Sequence, residues 1–315
     1  MNTRPMTKPA ITPVLIDCDP GIDDAIALLL GFACPEALRV EAITTVAGNV
    51  SLVHTTRNAR RVRALAGRSD VPVHAGCPRP ILAPPHHAAH VHGEDGLGGI
   101  GLIDDEGGLA ARHAVDALAD RTAGSDPLTV VAVGPLTNLA MLLVKRPEVA
   151  ERFGRVIVMG GGLARGNVTP LAEFNIFADP EAARIVVEAG LRPLVFPLDV
   201  TQQAAVTKAD LERLSEGGGR ITEAAVAMLR FYLEAVGARH GGVHIHDAMA
   251  VAYAIWPELF EVRAARLTVV TDTGDERGRT VADFGTGEAN ADIAVAVDAA
   301  TFTDRLFDRI HALDA

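Results

Sequence analysis

Residues 16–25 read Ile-Asp-Cys-Asp-Pro-Gly-Ile-Asp-Asp-Ala, and this hinge constrains the fold more than any other stretch of the chain. An apolar run enters it, a Pro-Gly pair reverses the backbone, and the apolar segment Ala25–Phe32 leaves it. Proline presets one backbone angle and glycine tolerates the other, so the pair suits a tight turn between a strand and a helix. Alternate strand residues share a face, which projects Asp17 and Asp19 the same way at the strand's C-terminal tip. Asp23 and Asp24 open the helix, where the macrodipole favours negative charge by about 0.3–1 kcal/mol each. Capping accounts for one such acid. Four carboxylates on one hinge repel one another, and a hard cation with oxygen ligands would offset that repulsion. On an open α/β sheet the hinge also lies at the carboxyl ends of the strands, where ligands bind.

The same strand-then-helix rhythm continues. Pro13–Asp19 reads as strand, Asp23–Phe32 as helix, Leu38–Ala47 as strand and Leu52–Ala66 as helix, the alternation of a parallel sheet. It resumes with His113–Arg121 as helix, Leu128–Val133 as strand, Leu136–Lys145 as helix and Arg155–Met159 as strand. Pro180–Glu188 is predicted helical, Pro193–Leu198 a strand, Ile221–Ala238 and His246–Ile255 helical, and Ala264–Asp272 a strand. Residues 78–101, rich in Pro, Gly and His, and Glu216–Arg220 read as loops, the first long enough to act as a lid. The expectation is an α/β fold with a single open, mainly parallel sheet flanked by helices. It forms one domain over residues 1–315, with 1–12 as a flexible N-terminal extension.

Composition narrows the function classes. A net charge of −11 argues against partners that are nucleic acids or acidic membranes. Aromatic residues make up only 4%, with one Trp, so few rings are at hand for base stacking. Cys18, Cys34 and Cys77 form no Cys-x-x-Cys pair or disulfide framework, which fits a reduced cytoplasmic setting. The N-terminal stretch Met1–Ala10 holds no apolar core of signal-peptide length, and no apolar run approaches the ~20 residues of a membrane span.

Further blocks carry chemistry. Ile43–Asn49 is a strand ending in Gly-Asn, which puts an amide at the same sheet edge as the hinge. Val131–Ala140 contains Gly-Pro-Leu-Thr-Asn, where a strand gives way to a helix and a carbonyl without a ladder partner could serve a metal. Met159 precedes three glycines, then come Asn167 and Glu173-Phe-Asn-Ile. Glu173 and Asn175 share a face if that stretch is extended. His244-Ile-His-Asp247 leads into an apolar helix, which Asp247 could simply cap. The four imidazoles of His86, His87, His90 and His92 lie in a Pro/Gly-rich loop, whereas zinc sites rest on rigid elements with supporting partners. One or two of them meeting a substrate on loop closure is the better expectation.

Together the hinge, Ile43–Asn49, Gly134–Asn138, Glu173–Ile176 with Asp179-Pro-Glu-Ala-Ala, and His246-Asp247 resemble the inosine–uridine preferring nucleoside hydrolases in content, order and spacing, from about Pro13 to Pro257. The resemblance implies a bound Ca2+ held by Asp19, Asp24, Asp247 and the main-chain oxygen of Val133. It implies Asp23 as the general base toward water. Asn175 would hold the ribose and stabilise charge at C1′, with Asn49 and Asp247 beside it. Glu173, Asn167 and Met159 would line the 5′-hydroxyl side, Phe174 would flank the sugar, and His246, then His92, would assist the leaving base.

The reaction so implied is hydrolysis of a ribonucleoside N-glycosidic bond, with a homodimer or homotetramer as the assembly. Relatives that stack purines between tryptophans have no counterpart here, since Trp256 lies late in a predicted helix, so inosine, uridine and cytidine are the expected substrates. Two other classes fit the residues less well. A metal-dependent phosphohydrolase would suit clustered Asp, but the chain lacks a Gly-rich phosphate loop with Lys. A calcium-dependent nucleoside or ribose sensor without turnover would be expected to lack the base carboxylate, and Asp23 is present.

Overall fold

The computed structural model describes residues 11–105, 107–124, 127–237, 241–285 and 287–315. Its strands are β1 (Thr12–Cys18), β2 (Leu38–Thr45), β3 (Val73–Ala75), β4 (Leu128–Ala132), β5 (Phe153–Met159), β6 (Leu194–Phe196), β7 (Ala205–Val206), β8 (Val243–His244), β9 (Phe260–Val269), β10 (Thr280–Asp283) and β11 (Ala291–Val297). The helices are α1 (Ile22–Phe32), α2 (Leu52–Leu65), α3 (Ala89–His92), α4 (Ala114–Thr122), α5 (Thr137–Lys145), α6 (Phe174–Ala178), α7 (Pro180–Glu188), α8 (Leu198–Thr201), α9 (Lys208–Ser215), α10 (Arg220–Val236), α11 (His246–Ile255) and α12 (Ala299–Ala312).

Nine strands form one sheet in the order β10-β9-β11-β6-β5-β4-β1-β2-β3. Pairing is parallel from β3 through to β6 and on to β11, whereas β9 runs antiparallel to both β11 and β10. The order reverses beside β1: the chain steps outward to β2 and β3 on one side and returns to β4 on the other. That is the switch point where the loops of an open sheet separate and leave a crevice. The hinge sits at its mouth.

Burial explains the local sequence. Every residue of α1 is buried, because the helix packs against α11 and the face of the sheet. Its continuous apolar run is therefore core-forming rather than amphipathic. β1 is buried on both faces from Val14 onward, as a central parallel strand must be. Cys18 is one of its buried small residues.

The expected alternation holds through α7, with ends shifted by a residue or two. The strand expected at 264–272 is β9, displaced toward the N-terminus and antiparallel. The sequence reading did not anticipate β3, α6, α8, β7, α9, β8, β10, β11 or α12, and α3 falls inside the segment 78–101 that it reads as loop. Ala238, the expected end of α10, and most of the expected N-terminal extension lie outside the described residues; Thr12 already pairs with Leu38. No helix among the described residues is long and apolar enough to cross a membrane.

Candidate active site

The turn that follows β1 is organised around the Asp24 carboxylate. Its Oδ1 accepts the Asp19 N–H at 3.0 Å, while its Oδ2 accepts the Gly21 N–H at 2.9 Å and the Asn49 side-chain amide at 3.1 Å. Asp24 is the third residue of α1, so reaching back to the Gly21 N–H caps a helix whose preceding glycine has no side chain to do so. Asp19 Oδ2 accepts the Asn49 N–H at 2.7 Å, and its other oxygen is buried without a hydrogen-bond partner. Glycines crowd this carboxylate. A Cβ at Gly48 would lie 2.0 Å from Oδ2, and one at Gly134 would lie 2.4 Å from Oδ1, so only glycine lets both loops close on Asp19.

From across the crevice α11 brings in Asp247. Asp23, Asp24 and Asp247 each place an oxygen within 4.8 Å of the others, and all three are buried. Burial raises the pKa of all four carboxylates, Asp19 included, and neighbouring negative charge adds to the rise at Asp19, Asp23 and Asp247. Asp17 departs from the sequence expectation. Its Oδ1 accepts from the Thr44 hydroxyl and, at 2.8 Å, from Asn138 Nδ2, so it ties β1 to β2 and to the start of α5 instead of joining the cluster.

A cavity of about 730 Å³ opens above the cluster, inside the range of small-molecule sites. Asp23, Asn49, His92, Val133, Met159, Asn167, Glu173, Phe174, Asn175, His246 and Asp247 all line it. Of the metal, catalytic and substrate-binding residues implied by the resemblance, only Asp19 and Asp24 are not in its lining; both are fully buried.

Asn175 donates through Nδ2 to the carbonyl oxygens of Val133 at 2.9 Å and Met159 at 3.2 Å, spanning the ends of β4 and β5. Glu173 and Asn175 do not share an extended face. Glu173 caps the short helix α6, accepting the N–H groups of Asn175 at 2.9 Å and Ile176 at 3.3 Å, and it also takes the Gly161 N–H at 2.8 Å. Burial pushes its carboxyl up to about 7 against the pull of those N–H donors. Asn167 holds the same helix start by accepting the Phe174 N–H at 2.9 Å.

The histidines separate by environment. His246 Nδ1 lies 2.6 Å from the Thr201 hydroxyl at the end of α8, a partner that the sequence reading missed. His92 is not a loose loop residue. It ends α3, is buried against Tyr232 with ring centres 5.5 Å apart, and accepts the Ile22 N–H through Nδ1 at 3.1 Å. Burial pushes its pKa down to about 3, so the ring is neutral and Nδ1 is an acceptor. His86 packs on Phe174 and Phe177, and His87 Nδ1 meets the Gly48 carbonyl at 2.7 Å. His244 stands 5.7 Å from His246, ring centre to ring centre. Trp256 is buried under Arg305 and lies outside the cavity lining.

The sequence profile of the inosine-uridine preferring nucleoside hydrolases matches residues 14–304. The chain belongs to that family. Among similar proteins, the pyrimidine-specific ribonucleoside hydrolase RihA of Enterobacter sp. (strain 638) is 39% identical over 95% of this chain and 97% of its own. Its counterpart from Salmonella gallinarum is 40% identical over 95% and 98%. Among solved structures, a purine-preferring ribonucleoside hydrolase from Gardnerella vaginalis superposes with a TM-score of 0.91 at 30% identity, covering 96% of this chain and 99% of that one. The plant nucleoside hydrolase PpNRh1 gives 0.90 at 32% identity with the same coverage.

As a nucleoside hydrolase the chain is an N-glycosyl hydrolase of ribonucleosides, in a metal-dependent family. The acidic cluster fits a cation on its own terms. An unpartnered buried oxygen on Asp19 and three converging carboxylates make a hard, anionic, all-oxygen donor set.

Proposed function

We propose that this nucleoside hydrolase cleaves inosine, uridine or cytidine to ribose and free base, with calcium as its metal. The observation that carries the proposal is the convergence of eleven sequence-selected residues on one cavity floored by buried carboxylates. Asp19, Asp24, Asp247 and the Val133 carbonyl would hold the ion. That carbonyl already accepts from Asn175 and keeps a second lone pair. When bound, such a cation supplies Lewis acidity toward a water and the sugar's vicinal hydroxyls.

The remaining steps belong to side chains. Asp23 sits in the first turn of α1 with its carboxylate lining the cavity, and it takes the proton from the attacking water. Asn175, held by two carbonyls, keeps its amide oxygen for the ribose and for charge developing at C1′. Glu173, Asn167 and Met159 shape the 5′-hydroxyl end, Phe174 flanks the sugar and Asn49 fixes it from the hinge side. His246, oriented by Thr201, faces the departing base and supplies its proton. His92, neutral and buried with Tyr232, packs against the hinge through the Ile22 N–H and excludes water from that side of the cavity.

The named specificity of the RihA relatives favours pyrimidine bases within this set, and residence in the cytoplasm and assembly as a dimer or tetramer belong to the same proposal. Ribose release from a nucleoside panel is the test, run with calcium, after chelation and after calcium is restored. Release that requires the ion is expected. Binding of nucleosides without any release would favour a sensor, and release of phosphate from nucleotides alone would favour a phosphohydrolase.

A further inference from the structure

Arg165 is the only lysine or arginine among the described residues lining the cavity, and the chemistry assigned so far does not use it. Its Nε donates to Gln202 Oε1 at 3.0 Å. A guanidinium can only donate, so this bond fixes the Gln202 amide with its oxygen toward Arg165 and its NH2 group as the free edge. No other hydrogen bond or ion pair engages the Arg165 terminal nitrogens or Gln202 Nε2 among the described residues. Gln202 directly follows Thr201, the residue that holds His246. The pair therefore stands in the cavity wall next to Thr201 and His246, the residue facing the departing base in the reaction proposed above.

We infer that Arg165 and Gln202 read the departing nucleobase and select bases carrying a carbonyl, rather than an amino group, at the ring position they face. The inference rests on the hydrolase reading and deepens it. The terminal nitrogens of Arg165 and the Gln202 amide nitrogen are donors. Uracil offers carbonyl oxygens at positions 2 and 4, both acceptors. Cytosine replaces the second with an amino group, which sets donor against donor and leaves both without a partner. Hypoxanthine and adenine differ in the same way at position 6. Arg165 also adds positive charge where the departing base gathers negative charge, so part of the preference appears in kcat and not only in KM. Because Arg165 is exposed and Gln202 half-buried, water softens the mismatch, and the expected discrimination is about tenfold, far below that of a dry site.

The experiment compares kcat/KM for uridine, cytidine, inosine and adenosine with the full-length, calcium-loaded enzyme and with Gln202→Glu, Gln202→Ala and Arg165→Met. The expected wild-type result is about a tenfold preference for uridine over cytidine, and for inosine over adenosine. Gln202→Glu retains the Arg165 partner but presents an acceptor, so its uridine-to-cytidine ratio should fall to about one or below. Gln202→Ala and Arg165→Met should lower the ratio by loss on uridine, with kcat contributing. A wild-type ratio at or below one, or a ratio that stays within about twofold in all three variants, overturns the inference while leaving the hydrolase reading intact. No ribose release from any nucleoside by the wild type overturns both.

Discussion

His92 provides a quantitative check on how tightly the 78–101 segment is closed. It is 5% exposed, and its pKa falls to about 3 because burial disfavours the charged ring. In the unfolded chain the same ring takes up a proton near about pH 6.5. Between these values the unfolded state binds more protons than the folded state, so stability is lost as pH falls, by up to about 1.4 kcal/mol per pH unit. Integrated from about pH 7 to about pH 5, the loss from this one residue is about 2 kcal/mol. The figure barely changes if the folded value is as high as about 4, since the folded ring is neutral throughout that window. His92→Gln removes the titration and the ring contact with Tyr232, and should cost about 1–3 kcal/mol at pH 7. The gap between wild type and variant should then narrow by about 2 kcal/mol at pH 5. Urea unfolding followed by far-UV circular dichroism at fixed calcium measures it. A gap constant within about 0.5 kcal/mol would refute the closed, neutral His92 and return the residue to a mobile loop.

Asp23→Asn should lower kcat by about 10²–10⁴-fold while bound calcium, measured by elemental analysis, persists; near wild-type turnover would remove Asp23 as the base. Asp247→Asn takes one anionic ligand from the cluster, so it should weaken calcium retention on dialysis and lower the calcium-dependent gain in melting temperature, and unchanged retention would exclude Asp247 from the ion. Thr201→Val removes the hydroxyl that meets His246 Nδ1, and should slow uridine more than p-nitrophenyl riboside, whose leaving group needs no proton; equal slowing of both would make Thr201 a packing residue only.

The parts of the molecule legible in sequence are those where one local signal suffices. The hinge was visible because a Pro-Gly pair, an apolar helix and paired acids coincide within ten residues. The parallel sheet was visible because its strands are short apolar runs between helices. Glu173 was misplaced because α6 has five residues, too few for any periodicity to separate helix from extended chain. His92 was misplaced because its burial comes from Tyr232 and the Ile22 N–H, contacts across 140 and 70 residues. Asp17 obeyed the strand alternation, yet its fate was decided by Thr44 and Asn138, which only the sheet order brings beside it. Thr201 carried no signal at all, being one hydroxyl at the end of a four-residue helix.

The Asp24 carboxylate serves the backbone before it serves any ion. Two main-chain N–H groups and one side-chain amide fold around it, so the turn that presents Asp19 and Asp23 is assembled by a group that is also a proposed ligand. A calcium ion arriving at this site therefore meets a loop already in shape, and its binding energy is not consumed in ordering the chain. Position 24 is correspondingly the wrong place to measure metal affinity. Removing its carboxylate would erase a ligand and unmake the turn in one stroke, and the two losses could not be separated in any titration. Asp247 projects from α11 and accepts none of the backbone N–H groups that shape the turn, so position 247 is where the ion's own contribution can be isolated.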